Sequence, residues 1–179
     1  MIDRCEKFKV FMAVEAAFKA GDLEGLRTAL GNPEGFPNVR GPEGIGCSLL
    51  QYAIYHSPLG FIRMLLEQGA DPNYDNGDGF PCLMAALSSS PAQGVPGRDD
   101  VLAVLELLLS FGADVQQRGI NDYTPLHEAV ARGDVYAVEL LLRYGADIDA
   151  RTTIDDFETP IEIAERARLV QLVEMLRSG

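Results

Sequence analysis

Three copies of one tripeptide recur along the 179 residues: Gly69-Ala70-Asp71, Gly112-Ala113-Asp114 and Gly145-Ala146-Asp147. Each follows an apolar run with helical spacing, Met64-Leu65-Leu66, Leu107-Leu108-Leu109 and Leu140-Leu141-Leu142. Upstream of the last copy stands Thr124-Pro125-Leu126-His127-Glu128-Ala129, echoed by Thr159-Pro160-Ile161-Glu162-Ile163-Ala164. Weaker echoes lie at 12–17, 48–53 and 81–86. The alanines that close these segments fall at 17, 53, 86, 129 and 164, spaced by 36, 33, 43 and 35. The period is near 33, with one insertion of ten residues. This repetition constrains the fold more than any other feature. One unit of that length cannot bury its own apolar face, so the units must stack into a solenoid.

Each position in the unit has a physical task. Thr124 is placed to cap the first helix (A) of its unit, with Pro125 at the first helical position, where no N–H is needed. Leu126, Ala129 and Val130 fall on one helical face. Gly133 ends that helix, and Asp134 caps the second helix (B), whose expected buried side is Val138, Leu141 and Leu142. Gly145 supplies the positive φ that follows a helix C-terminus. The same reading predicts helix pairs at 4–20 and 22–30, 48–56 and 58–67, 81–88 and 99–110, 125–132 and 135–143, and 160–166 and 169–177. Asp3 with Glu6 reads as a capping box, Pro58 as the start of a B helix, and Asp99-Asp100 as the cap of another.

The pattern resembles the ankyrin repeat family, whose unit is a turn and two antiparallel helices. The resemblance is strongest at 119–151, good at 43–75 and 76–118, and partial at the two ends. It implies an all-α ankyrin-repeat solenoid of about five helix-turn-helix units with hairpin-like finger loops. Residues 1–179 then form a single domain with repeats at about 4–42, 43–75, 76–118 (insertion 88–98), 119–151 and 152–179. The polar outer face of the last helix and the long first helix read as closures at both ends, which favours a monomer. The insertion, with two Pro and two Gly, is a loop, either a partner contact or a tolerated addition.

Charge and composition narrow the function. Fifteen Lys and Arg against 27 Asp and Glu give −12. Residues 1–42 hold six acids and six bases, 43–120 nine and three, and 121–179 twelve and six, so the whole excess follows residue 42. This sign argues against nucleic acid, where Lys and Arg supply most of the affinity. No run approaches the roughly 18 apolar residues of a membrane span, and residues 1–9 are not a signal peptide. Three widely spaced Cys suggest neither disulfides nor a metal clip, and fit a reduced, cytoplasmic setting.

No catalytic constellation or cofactor site emerges. Asp71, Asn73 and Asp75 have the spacing of a calcium loop, but position six is Asn76 and position twelve is Cys82. The repeat register explains the segment as a finger. Gly41-Pro42-Glu43-Gly44-Ile45-Gly46 lacks the Lys-Ser/Thr of a phosphate loop. His127 falls on the histidine of the family motif, which implies a structural bond to neighbouring backbone. His56, at the end of an A helix, is a binding candidate.

The resemblance implies a non-enzymatic protein-interaction module (adaptor, scaffold or inhibitor) that uses finger tips and the exposed side of the A helices, lining a concave groove. Register assigns Ile45, Tyr55 and His56; Asp78, Phe80, Ser88 and Ser89; Asn121, Tyr123 and Arg132; and Asp155, Asp156, Glu158 and Arg166. Cys47 and Ala131 share that register. Tyr55, Phe80 and Tyr123 are the expected anchors, because aromatics are favoured at interfaces. Packing on a neighbouring finger is the alternative. Asp155, Asp156 and Glu158, with Asp75 and Asp78, form an expected acidic rim, or else a solvated loop. The narrower reading is an acidic antidote for a basic toxin or nuclease; the remote one is an enzyme or small-molecule binder.

Overall fold

The computed structural model describes residues 4–42, 45–74, 79–89, 97–153 and 157–178. Ten α-helices occur among them: α1 (Arg4–Ala20), α2 (Leu23–Ala29), α3 (Leu49–His56), α4 (Leu59–Glu67), α5 (Cys82–Ser88), α6 (Val101–Ser110), α7 (Pro125–Ala131), α8 (Val135–Arg143), α9 (Pro160–Arg166) and α10 (Val170–Ser178). They are the five expected pairs, each boundary within two residues of its expectation. A short 3-10 turn, Ile120–Asp122, precedes α7. The described residues contain no strand, only an isolated antiparallel bridge between Arg40 and Ser48. The chain divides into two units, Met1–Asp78 and Gly79–Gly179.

The recurring tripeptide performs three tasks in each copy. Gly69, Gly112 and Gly145 have φ of +89°, +86° and +81°, a conformation that side chains disfavour. The following alanine is buried, and its N–H returns to the carbonyl of Leu65, Leu108 or Leu141 at 2.9–3.0 Å. The aspartate carboxylate then accepts the N–H two residues on, from Asn73, Gln116 or Asp149, at 2.8–2.9 Å. Helix end, core contact and turn are thus set by three consecutive residues. A carboxamide docks on the glycine carbonyl in two copies: Asn38 on Gly69 at 2.9 Å and Gln116 on Gly145 at 3.0 Å.

In the first unit α1 packs on α2 and α3, and α4 packs on α2 and α3. Phe18 is fully buried, edge-on to Phe61 at 5.7 Å, and its carbonyl accepts the buried Ser57 hydroxyl at 3.0 Å. Asp22 and Ser48 cap α2 and α3 through their side chains. Pro58 sits one place before α4 rather than inside it, with φ −66° and ψ 155°. Asp3, the expected partner of Glu6, lies outside the described residues.

In the second unit α5, α7 and α9 form one row and α6, α8 and α10 the other, each A helix packed on its own B helix. Val138 and Leu141 are buried as expected, but Leu140 rather than Leu142 completes that side of α8. The expected Asp99-Asp100 cap is corrected. Asp100 stands at the start of α6, yet its carboxylate makes no cap bond, because Arg98 holds it at 2.7 and 2.9 Å. That hydrogen-bonded pair keeps the Asp100 carboxyl below the usual carboxylate range. Thr124 and Thr159 do cap α7 and α9, each in a reciprocal capping box, with Pro125 and Pro160 leading the helix.

His127 ties one repeat to the next. It is fully buried, its Nδ1 accepts the Thr124 N–H at 3.2 Å, and its Nε2 lies 3.2 Å from the Glu158 carbonyl. Because Nδ1 accepts, Nε2 carries the proton and donates to Glu158. Burial pushes the imidazole below its ordinary 6.5, opposed by the Glu158 carbonyl. The unfolded chain therefore takes up a proton first as the pH falls, so this contribution to stability is complete above about 6.5 and is lost below it. The His56 shift has the same direction. Thermal melting should show stability falling from about pH 7 to about pH 5.5, and His127→Gln should flatten that fall. His127→Ala, which opens a cavity at a fully buried site and removes the bond to the Glu158 carbonyl, should cost about 2 kcal/mol or more.

Candidate functional site

The second unit presents three finger segments beside α5, α7 and α9. A backbone bond joins the first two, and a second bond closes the middle one. The Ile120 N–H donates to the Gly79 carbonyl at 2.8 Å, and Gly119 donates to Tyr123 at 2.8 Å. A Cβ at Gly119 would collide with the Met84 sulfur and lie 3.0 Å from the Gly79 carbonyl oxygen, so these segments approach as only glycine permits. Arg118 donates to the carbonyls of Asp122 (3.1 Å) and Arg151 (2.8 Å), linking one finger to the next. Arg151 in turn donates to the Phe157 carbonyl at 2.7 Å and grips Glu162 at 3.0 and 3.1 Å. The Thr159 N–H, then Arg151, lower the Glu162 carboxyl pKa.

This frame holds finger residues in a left-handed backbone conformation. Asn121, Asp122 and Phe157 have φ of +63°, +59° and +53°. Such values cost on the order of 1–2 kcal/mol per side-chain-bearing residue and persist only where surrounding bonds enforce them. On these fingers two apolar side chains lie in solvent, Ile120 at 57% exposed and Phe157 at 58%. Register reasoning did not select either. The available signal was an apolar residue beside each finger aspartate or asparagine, outside the helical core pattern.

The register-assigned residues of this unit divide into several environments. Phe80 and Tyr123 are half-buried, and the Tyr123 ring lies 5.5 Å from His127. Asn121 is exposed. At the helix ends, Ser88 of α5 reaches Glu128 of α7 at 3.4 Å, and Glu128 also accepts from Arg132 at 2.7 Å. Ser89 is corrected: it is buried, and its hydroxyl donates to the Ala86 carbonyl at 2.6 Å, so it closes α5 instead of facing solvent. Arg166 clasps Glu158 with two bonds of 2.7 Å. Asp78, Asp155 and Asp156, with Asp75 of the expected rim, lie outside the described residues. Residues 90–96 of the insertion do too, while its ends meet through the Arg98 N–H and the Ser89 carbonyl at 2.8 Å.

In the first unit, Tyr55 and His56 are exposed at the end of α3. His56 stacks on Tyr52 at 4.3 Å, and Tyr52 on Phe18 at 4.8 Å. Ile45 is half-buried in a finger that Gly41 closes by donating to the Cys47 carbonyl at 2.9 Å. Burial of the stacked ring lowers the His56 pKa, while the Glu15 charge raises it and Lys19 lowers it. Among the described residues no group of three or more His, Cys, Asp or Glu could hold a metal ion.

Comparison with known proteins adds the following. The ankyrin repeat family model matches residues 45–77 and 121–153. A tyrosine-protein kinase of Drosophila melanogaster, Shark, is 31% identical over 143 residues, 79% of this chain and 14% of that protein. An ankyrin repeat protein of Rickettsia felis is 28% identical over 97 residues, 50% of this chain and 39% of that protein. The matched region is well under half the length of either relative.

NMR titration should place the His56 pKa below 6.5. Glu15→Gln should lower it further, since that change removes the opposing charge and leaves Lys19 without its 2.8 Å partner.

Proposed function

We propose, for a chain that belongs to the ankyrin-repeat family, that it is a non-enzymatic module holding a partner protein on its fingers and A-helix ends. Ankyrin repeats are general protein–protein interaction modules, and no described helix is long and apolar enough to cross a membrane. The observation that carries the reading is the exposure of Ile120 and Phe157 on fingers fixed by Arg118 and Arg151. Exposed apolar side chains on a pre-ordered backbone lose little entropy on binding and suit the anchor role. Phe80, Tyr123, Asn121, Ser88, Arg132, Glu158 and Arg166 surround them in register. Ile45, Tyr55 and His56 supply a comparable patch on the first unit. The compartment is cytoplasmic, in keeping with three cysteines too widely spaced to suggest a disulfide framework.

Apolar anchoring, not charge, leads this reading. Of the expected acidic rim, Glu158 is paired with Arg166, and the four aspartates lie outside the described residues. The antidote reading keeps only the −12 of the chain. The test is affinity capture from extract of the source cell with wild type and an Ile120→Ala/Phe157→Ala variant. Truncating a true anchor costs about 2 kcal/mol, or roughly thirty-fold in affinity. The variant should lose the retained protein at an unchanged melting temperature, with modest dependence on salt. Equal retention of the same proteins by both would overturn the assignment. Retention abolished by salt but not by the variant would favour the antidote.

A further inference from the structure

The α1 helix has an apolar stripe that its own unit leaves uncovered. Val14 is the first buried residue of this 17-residue helix, followed by Ala17 and Phe18. On the opposite side Cys5, Phe8, Met12 and Ala16 follow helical spacing, and all are exposed, Phe8 at 63%. Residues 4–13 carry Arg4, Lys7 and Lys9 against Glu6, a net +2, in a chain of −12. Every lysine of the chain (7, 9 and 19) is on α1.

The second unit carries a surface of opposite character. A groove of about 230 Å³ between α6 and α8 is lined by Leu102, Glu106, Tyr136, Glu139, Leu140 and Arg143. Leu140 is its buried floor, while Leu102 and Tyr136 are 38% and 71% exposed. No ion pair of the described residues engages Glu106, Glu139 or Arg143, so the rim carries a net −1. The volume lies below the roughly 300–1,000 Å³ of small-molecule sites. It suits one anchoring side chain of a protein partner.

We infer that copies of this chain associate head to tail, the outward stripe of α1 seating Phe8 in the α6/α8 groove of a second copy. Arg4 and Lys9 flank Phe8 by one helical turn and one residue, which sets them toward the two free carboxylates of the groove. The donor and acceptor are different surfaces, so the contact is heterologous and builds rings or open chains instead of a two-fold dimer. A basic, Phe-bearing helix also suits an anionic bilayer. The −12 of the whole chain opposes approach to a surface that is anionic throughout; a second copy carries the same −12, so the pairing rests on the local match of the +2 helix with the −1 groove at contact. Self-association replaces the monomer expected from the sequence, and it does not depend on the finger surface.

Sedimentation of the full chain tests this. Wild type should gain mass with concentration at about 0.1 M salt, which screens the long-range −12 repulsion between copies, and return to monomer at about 1 M, where the contact pairs are screened too. Arg4→Glu/Lys9→Glu and Glu106→Lys/Glu139→Lys should each weaken self-association about tenfold or more. All four exchanges keep good helix formers, so circular dichroism should be unchanged. An equimolar mixture of the two variants should associate again, because each offers a surface complementary to the other. A wild type that stays monomeric to its solubility limit overturns the inference, as does a mixture that fails to recover. Binding of the chain to phosphatidylserine vesicles that Phe8→Ser abolishes, without self-association, overturns it in favour of a membrane surface.

Discussion

In the second unit, the apolar side of each helix pair is covered by the next pair, because one pair has no interior of its own. Two rows of helices result, α5, α7 and α9 against α6, α8 and α10. The bond from His127 to the Glu158 carbonyl ties the rows to the loops. It reaches from a buried A helix into the following finger, so the position of that finger is decided by the core. Without it the Glu158 carbonyl would keep only the Thr152 N–H at 3.2 Å, and the net worth of one hydrogen bond, about 0.5–1.5 kcal/mol, would be lost.

The fingers inherit their rigidity from this arrangement. Ile120 is tied to Gly79, Arg118 to Arg151, and Arg151 to Phe157, each within 2.7–2.8 Å. Those bonds can enforce the left-handed conformations of Asn121, Asp122 and Phe157, which isolated loops would relax. The same fingers hold Ile120 and Phe157 in water, where a partner can cover them. The surface is interchangeable in a way the frame is not, which is why the fold alone leaves the partner unspecified.

The frame was legible in the sequence because its determinants are local. Gly145 sets a helix end, Ala146 a core contact and Asp147 a turn within three residues, and Thr124 with His127 sets a cap within four. Asp100 was misread because Arg98, two residues away, competes for its carboxylate. Ser89 was misread because helical register gives a direction but not the depth of cover above it. Ile120 and Phe157 escaped notice for a different reason. Their exposure depends on Arg118 and Arg151, whose bonds join residues brought together only by stacking. The acidic excess was correctly located after residue 42, yet Glu128, Glu158 and Glu162 proved to be paired with arginines, which sequence charge counting does not register.

A stacked frame that holds ordered fingers for a partner protein leaves its mark on backbone dynamics. Hydrogen exchange, with and without the retained partner at dilute concentration, tests it most directly. Amides of α7 and α8 should exchange slowest in the free chain, and the partner should slow exchange at 118–123 and 157–158. Partner-induced slowing confined to the B helices α6, α8 and α10, with the fingers unchanged, would contradict it.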